Sequence, residues 1–86
     1  MIMKVVHELD FKNNVTIEGK RYCLSTVRLP ASHSGFTYET MLFPYKNNKE
    51  LCYTDLYCQR YVARTDAISG HKKLLELLRS GVKIWK

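Results

Sequence analysis

The sequence predicts an α+β domain, an antiparallel β-meander of three to five strands with one C-terminal α-helix packed across one face. Three observations carry that prediction. Stretches rich in β-branched and aromatic residues recur through the first two-thirds of the chain, separated by Asn-, Gly- and Pro-containing turn signals. A single segment, "TDAISGHKKLLELLRSG", repeats its apolar residues with helical spacing. The connections are short throughout. The 86 residues form one domain, residues 1–86, with room for a single sheet-on-helix core.

Taken in order, Met3–Leu9 is a candidate first strand, with Asn13-Asn14 as the turn signal after it. Glu18-Gly19 is a tight turn into a strand over Arg21–Leu29, which Pro30 stops because it has no N–H to give the ladder. "ASHSG" is a loop. "FTYETMLF" is the next strand, ended by Pro44, and "YKNNKE" is another turn. "LCYTDLYCQRYV" is one long strand or a bulged pair of short ones. The helix follows, with Thr65 as N-cap, Asp66 in its first turn and Gly81 at C′. "VKIW" is a short final strand or a tail packed on the core.

On the helical wheel, His71 falls about 40° and Gly70 about −60° from Ala67, both inside the apolar arc. Lys72, Glu76, Arg79 and Lys83 form the wet stripe opposite. Glycine inside a helix costs about 1 kcal/mol relative to alanine, and close approach to a strand is the compensating reason. His71 then points at the sheet and needs a polar partner. Alternation along "FTYETMLF" puts Thr37, Glu39, Met41 and Phe43 on one face, which makes Glu39 and His71 a candidate buried polar pair.

The same alternation yields a candidate binding surface. Placing Cys52, Leu56, Cys58 and Val62 under the helix sends Tyr53, Tyr57 and Tyr61 to the far face. Cys23, Val27 and Leu29 then point inward, with Tyr22, Leu24 and Arg28 outward, and Tyr38 turns outward as well. Tyr22, Arg28, Tyr38, Tyr53, Tyr57 and Tyr61 would thus gather on the open face of the sheet. That mixture suits a protein interface or a homodimer, and bases could stack there.

Charge and cysteine content narrow the function classes. The net charge is +6, with five basic and four acidic side chains in residues 1–45 and nine basic and four acidic in residues 46–86. A basic surface attracts nucleic acid or acidic proteins and argues against a DNA mimic. No apolar run approaches the ~18 residues that span a bilayer. "MIMKVVHELD" lacks a signal-peptide layout, so no membrane partner is expected. Three cysteines, Cys23, Cys52 and Cys58, are an odd number that reads as reduced thiols in a cytoplasm.

Chemical signatures are sparse. Cys52, Cys58 and His71 do not have zinc-knuckle spacing, and buried thiols are the simpler reading, so no metal or cofactor is expected. No phosphate-binding glycine loop, paired-carboxylate motif or local Cys–His nucleophile signature is present. His33 is read as an exposed loop histidine. Catalysis by His71 with Glu39 ranks behind a binding role, and no catalytic residue is assigned.

"STVRL" at 25–29, His33, "YETMLF" at 38–43, "DLYCQRY" at 55–61 and "AISGH" at 67–71 fall in fixed order. This resembles a family of small proteins of tailed phages and prophages with S-T-V-x-L, D-H, F-E-T-M-[VI]-F and R-Y-x-T-x-x-E-A-x-x-G-H motifs. The resemblance spans residues 25–71 and carries over Glu39, Thr40, Met41, Arg60, Tyr61, Gly70 and His71. Pro30 replaces a glycine, Ser32 replaces the aspartate before His33, and the loop before Phe36 is shorter. Ala63 stands where the family has a helix-capping threonine. The resemblance implies a phage setting and no particular reaction. The expectation is a non-enzymatic phage or prophage accessory protein in the host cytoplasm that binds a host or phage macromolecule, of host-takeover or anti-defence type. A basic nucleic-acid-binding module using the aromatic sheet face is the alternative.

Overall fold

The computed structural model describes residues 10–30 and 35–85. The expected strand over Met3–Leu9 and the position of His33 lie outside them. The described residues form an antiparallel sheet of β1 (Asp10–Ile17), β2 (Lys20–Arg28), β3 (Tyr38–Lys46), β4 (Glu50–Leu51) and β5 (Tyr57–Tyr61), followed by α1 (Arg64–Arg79). The spatial order is β1-β2-β3, with β4 and β5 both paired to the far side of β3. The α+β meander with one helix across one face is the observed architecture.

Two reverse turns set the register. Glu18 and Gly19 both have positive φ (52° and 79°), the left-handed geometry of a two-residue hairpin, and they close β1 on β2 from Ile17↔Lys20 outward. Asn47 and Asn48 are also left-handed (53° and 59°), in the three-residue connection 47–49 between β3 and β4. Asn13 and Asn14, expected to turn, instead lie inside β1 opposite Leu24 and Cys23. Each has a partner that holds it extended: Asn13 accepts from His71, and Asn14 accepts from the Tyr45 hydroxyl.

Pro44 does not end β3. Its carbonyl accepts from Cys52 N–H at 2.9 Å, so its ring nitrogen also points toward the 52–56 segment and away from β2. The β2–β3 ladder therefore loses no donor, and Pro44 sits where β3 changes partner from β5 to β4. "LCYTDLYCQRYV" accordingly splits into two short strands joined by a loop rather than a bulge.

Helix α1 begins at N-cap Ala63, which has no side chain to cap with, and not at Thr65. Asp66 in the first turn and Arg79 in the last complement the helix dipole. Gly81, at φ 86°, follows the C-cap Ser80. The tail 82–85 is not a strand. It folds back so that Ile84 and Trp85 join the core, with the Trp85 ring 4.9 Å from that of Tyr22.

The face turned to the helix carries Phe11, Val15 and Ile17 from β1, Tyr22, Leu24 and Thr26 from β2, Tyr38, Thr40 and Leu42 from β3, and Tyr57 and Tyr61 from β5. This inverts the expected parity of β2, β3 and β5. The helix offers its smallest residues to the sheet: Ala67 packs on Tyr38, and a Cβ at Gly70 would overlap the Tyr61 ring and hydroxyl. Rings fill the space those small residues leave, so Tyr22, Tyr38, Tyr57 and Tyr61 take the helix side and Cys23, Ser25 and Cys58 the other. Gly70 is the close approach its sequence context suggested.

His71 is buried among these rings, with its edge against Phe11, and its partners are Asn13 and Thr26. The Asn13 Oδ1 atom only accepts, so Nε2–H donates to it at 2.8 Å. Nδ1 then accepts the Thr26 hydroxyl at 2.7 Å, and Thr26 Oγ1 accepts from Thr40 at 2.6 Å. Thr26 and Thr40 are wholly buried. The expected Glu39–His71 pair does not form, because Glu39 alternates with Thr40 and lies on the opposite face of the sheet.

Burial pushes the His71 pKa below the ordinary imidazole value. The unfolded chain therefore holds more protons than the folded one between the lowered pKa and about 6.5, and stability rises with pH across that window. Denaturant melts should show wild type losing stability from about pH 7.5 to about pH 5, and His71→Gln losing less of it. His71→Ala should cost about 2–4 kcal/mol at neutral pH, through the cavity and the orphaned Thr26 and Asn13 groups. In a double-mutant cycle, Gly70→Ala should destabilise the wild type yet stabilise a Tyr61→Ala background by about 1 kcal/mol.

Candidate functional site

The face of the sheet turned away from the helix has no described element across it, and its side chains vary sharply in size. Along β2 it presents Cys23 and Ser25, both nearly inaccessible at 4% and 7%. They lie low because taller neighbours flank them, Lys12 and Asn14 on β1 and Phe43 and Tyr45 on β3. Tyr53, on the loop after β4, lays its ring 5.5 Å from Phe43 and extends the aromatic wall while remaining 76% exposed. The result is a trough of about 260 Å³ with an aromatic wall and a basic and amide rim.

Tyr45 joins this trough to a second concavity at the turn end of the sheet. Its hydroxyl donates to Asn14 Oδ1 at 2.9 Å, and the Arg21 guanidinium stacks on its ring at 4.5 Å. Asn48 fixes the surroundings, because its amide donates to Gly19 O at 3.0 Å and its Oδ1 accepts from Arg21 N–H at 3.0 Å. The two reverse turns are thereby tied together. Beyond them opens a cleft of about 650 Å³ between Lys20, Arg21, Tyr45, Leu56 and Trp85. Lys46 and Lys49 stand exposed on the neighbouring turn, and Glu18 is occupied by Lys83 at 3.3 Å. This end of the molecule therefore combines aromatic rings with a surplus of cations.

At the other end of this face, Arg60 Nε donates to Glu39 Oε2 at 2.8 Å, and Cys58 Sγ donates to the same oxygen at 3.4 Å. Burial raises the Cys58 pKa, and its hydrogen bond to Glu39 raises it further, so the thiol stays protonated. Burial also pushes the Cys23 thiol up, which leaves it a small apolar floor residue. Among the described residues, no three His, Cys, Asp or Glu side chains converge as metal ligands.

The six residues expected on the open face are thus dispersed. Tyr22 and Tyr38 are buried under the helix, and Tyr57 and Tyr61 pack partly against it. Arg28 is exposed at the end of β2, opposite Tyr38. Tyr53 alone of them reaches the aromatic wall of the trough. Phe43, Tyr45, Arg21 and Lys12 form the rest of this surface and were not singled out by sequence. The signal that could have found them is the pair of small helix residues, Ala67 and Gly70, which call for rings on the facing strands. The motif positions serve the fold: Glu39 holds Arg60, Tyr61 packs on Gly70, and Thr40 reaches His71 through Thr26.

Compared with known proteins, the chain matches no family model, no curated sequence and no solved structure. No helix among the described residues is long and apolar enough to cross a membrane.

Asn48→Gly retains the permissive backbone and deletes the tie between the turns. It should cost about 1 kcal/mol in thermal melts and raise hydrogen exchange at the Arg21 amide, with the β2–β3 amides unchanged.

Proposed function

We propose that this chain is a small, non-enzymatic accessory protein of a phage or prophage that binds a host or phage macromolecule inside the host cell, in host takeover or anti-defence. The observation that carries the binding reading is the continuous aromatic and cationic surface from the trough through Tyr45 to the turn-end cleft. Tyrosine, tryptophan and arginine are the residue types that anchor protein interfaces, because they bury much area and keep a polar handle. The motifs of residues 25–71 support the phage setting. The polar groups best suited to chemistry are engaged elsewhere: His71 closes a core hydrogen-bond chain and Glu39 holds Arg60.

A nucleic acid is the second reading, favoured by Arg21, Lys20, Lys46 and Lys49 around exposed rings at the turn end. The two readings separate in one experiment. Wild type and an Arg21→Ala, Tyr53→Ala double variant are used to capture partners from infected and uninfected bacterial lysates, with and without nuclease. A protein retained after nuclease by the wild type and lost by the folded double variant supports the first reading. Retention of single-stranded oligonucleotides that weakens steeply with salt and fails in the variant supports the second. Equal capture by both chains removes this surface from the function.

A further inference from the structure

We propose that β5 is a self-pairing edge, through which two copies of this chain join antiparallel about Gln59 into one continuous sheet. Among the described residues no strand lies beyond β5, whose other side pairs with β3. Leu29 N–H donates to Thr37 O at 2.7 Å, so alternation turns the backbone groups of Glu39, Met41 and Phe43 toward β2. Those of Tyr38, Thr40 and Leu42 turn toward their β5 partners Tyr61, Gln59 and Tyr57. The N–H and C=O groups of Cys58 and Arg60 therefore point out of the sheet edge, where a further strand would receive them.

The side chains select a second copy as that strand. Antiparallel pairing about Gln59 sets Tyr57 opposite Tyr61, Cys58 opposite Arg60 and Gln59 opposite itself, and carries Leu56 and Val62, which flank the strand, toward each other. Leu56 and Val62 are 36% and 65% exposed, and the pairing would shield part of this apolar surface at each end of the strand. Rings meet rings on the helix side, and no like charges are opposed on either side. Charge is complementary at both ends, because Asp55 just before the segment is carried toward Arg64 just after it in the other copy. A groove of about 290 Å³ runs between β5 and α1, lined on the helix by Gly70, Lys73, Leu74 and Leu77. It opens toward the edge, where the second copy's tyrosines would enter. An isologous two-fold contact of this kind closes on itself and does not propagate into fibres.

Sedimentation equilibrium of the full chain across a concentration series tests this. A reversible monomer–dimer equilibrium is expected. Cys58→Pro removes an outward N–H and no β3–β5 bond, so it should give a monomer with an unchanged far-ultraviolet spectrum. Val62→Lys should weaken association by placing charge in the apolar contact, and it guards against misfolding of the proline variant. In a Cys52→Ser, Cys58→Ser background, Gln59→Cys should form a disulfide-linked dimer under mild oxidation. A directly opposed pair at a non-hydrogen-bonded site has Cα atoms about 4.5 Å apart, within disulfide reach. A chain that stays monomeric at every concentration overturns the proposal, including one whose β5 edge accepts only a foreign peptide. So does a dimer that survives both Cys58→Pro and Val62→Lys, or one that Gln59→Cys fails to cross-link.

Discussion

The chain of hydrogen bonds from Thr40 through Thr26 and His71 to Asn13 is the constraint on which the rest of the structure depends. It links β3, β2, α1 and β1 through Thr40, Thr26 and His71, which are buried, and Asn13, which is half-buried. A buried imidazole without partners would cost several kcal/mol, so the helix settles only where both ring nitrogens are satisfied. That condition fixes the rotation and height of α1 over the sheet, and so places Ala67 on Tyr38 and Gly70 on Tyr61. An apolar core alone would allow sliding. The direction of the chain also requires the neutral tautomer with its proton on Nε2.

Much of the architecture was readable from the sequence, because its determinants are local. Glu18-Gly19, the tract around Asn47-Asn48 and the 3.6-residue periodicity each announce one conformation. Asn13-Asn14 misled because the same residue type both turns and hydrogen-bonds, and here tertiary partners hold both side chains in an extended strand. Pro44 misled for a related reason. Its missing donor matters only on a paired side, and the side is set by β4 and β5, which arrive later in the chain. Ala63 as N-cap shows that a helix can begin without a capping side chain when packing of its inner face holds it in place.

The identity of the two sheet faces was the part that alternation could not supply. On β2 the choices are Tyr22, Leu24 and Thr26 against Cys23, Ser25 and Val27, and on β3 they are Tyr38, Thr40 and Leu42 against Glu39, Met41 and Phe43. Both sets mix apolar and polar residues, so period-2 patterning has two near-equal solutions and a wrong choice moves every side chain. Volume breaks the tie. A helix that presents alanine and glycine leaves a gap that only large residues fill, which places Tyr22, Tyr38, Tyr57 and Tyr61 inward and leaves a low Cys23–Ser25 floor on the face turned away from the helix.

The asparagine that ties the two hairpin turns has a consequence for recognition. Loops at the end of a sheet commonly lose conformational freedom when they bind, and that loss weakens the complex. Here Asn48 holds both turns and the Arg21 backbone in one rigid piece before any ligand arrives, and Tyr45 steadies the guanidinium. The cleft beside them is therefore shaped in advance, and a ligand that entered it would meet little cost of ordering these turns.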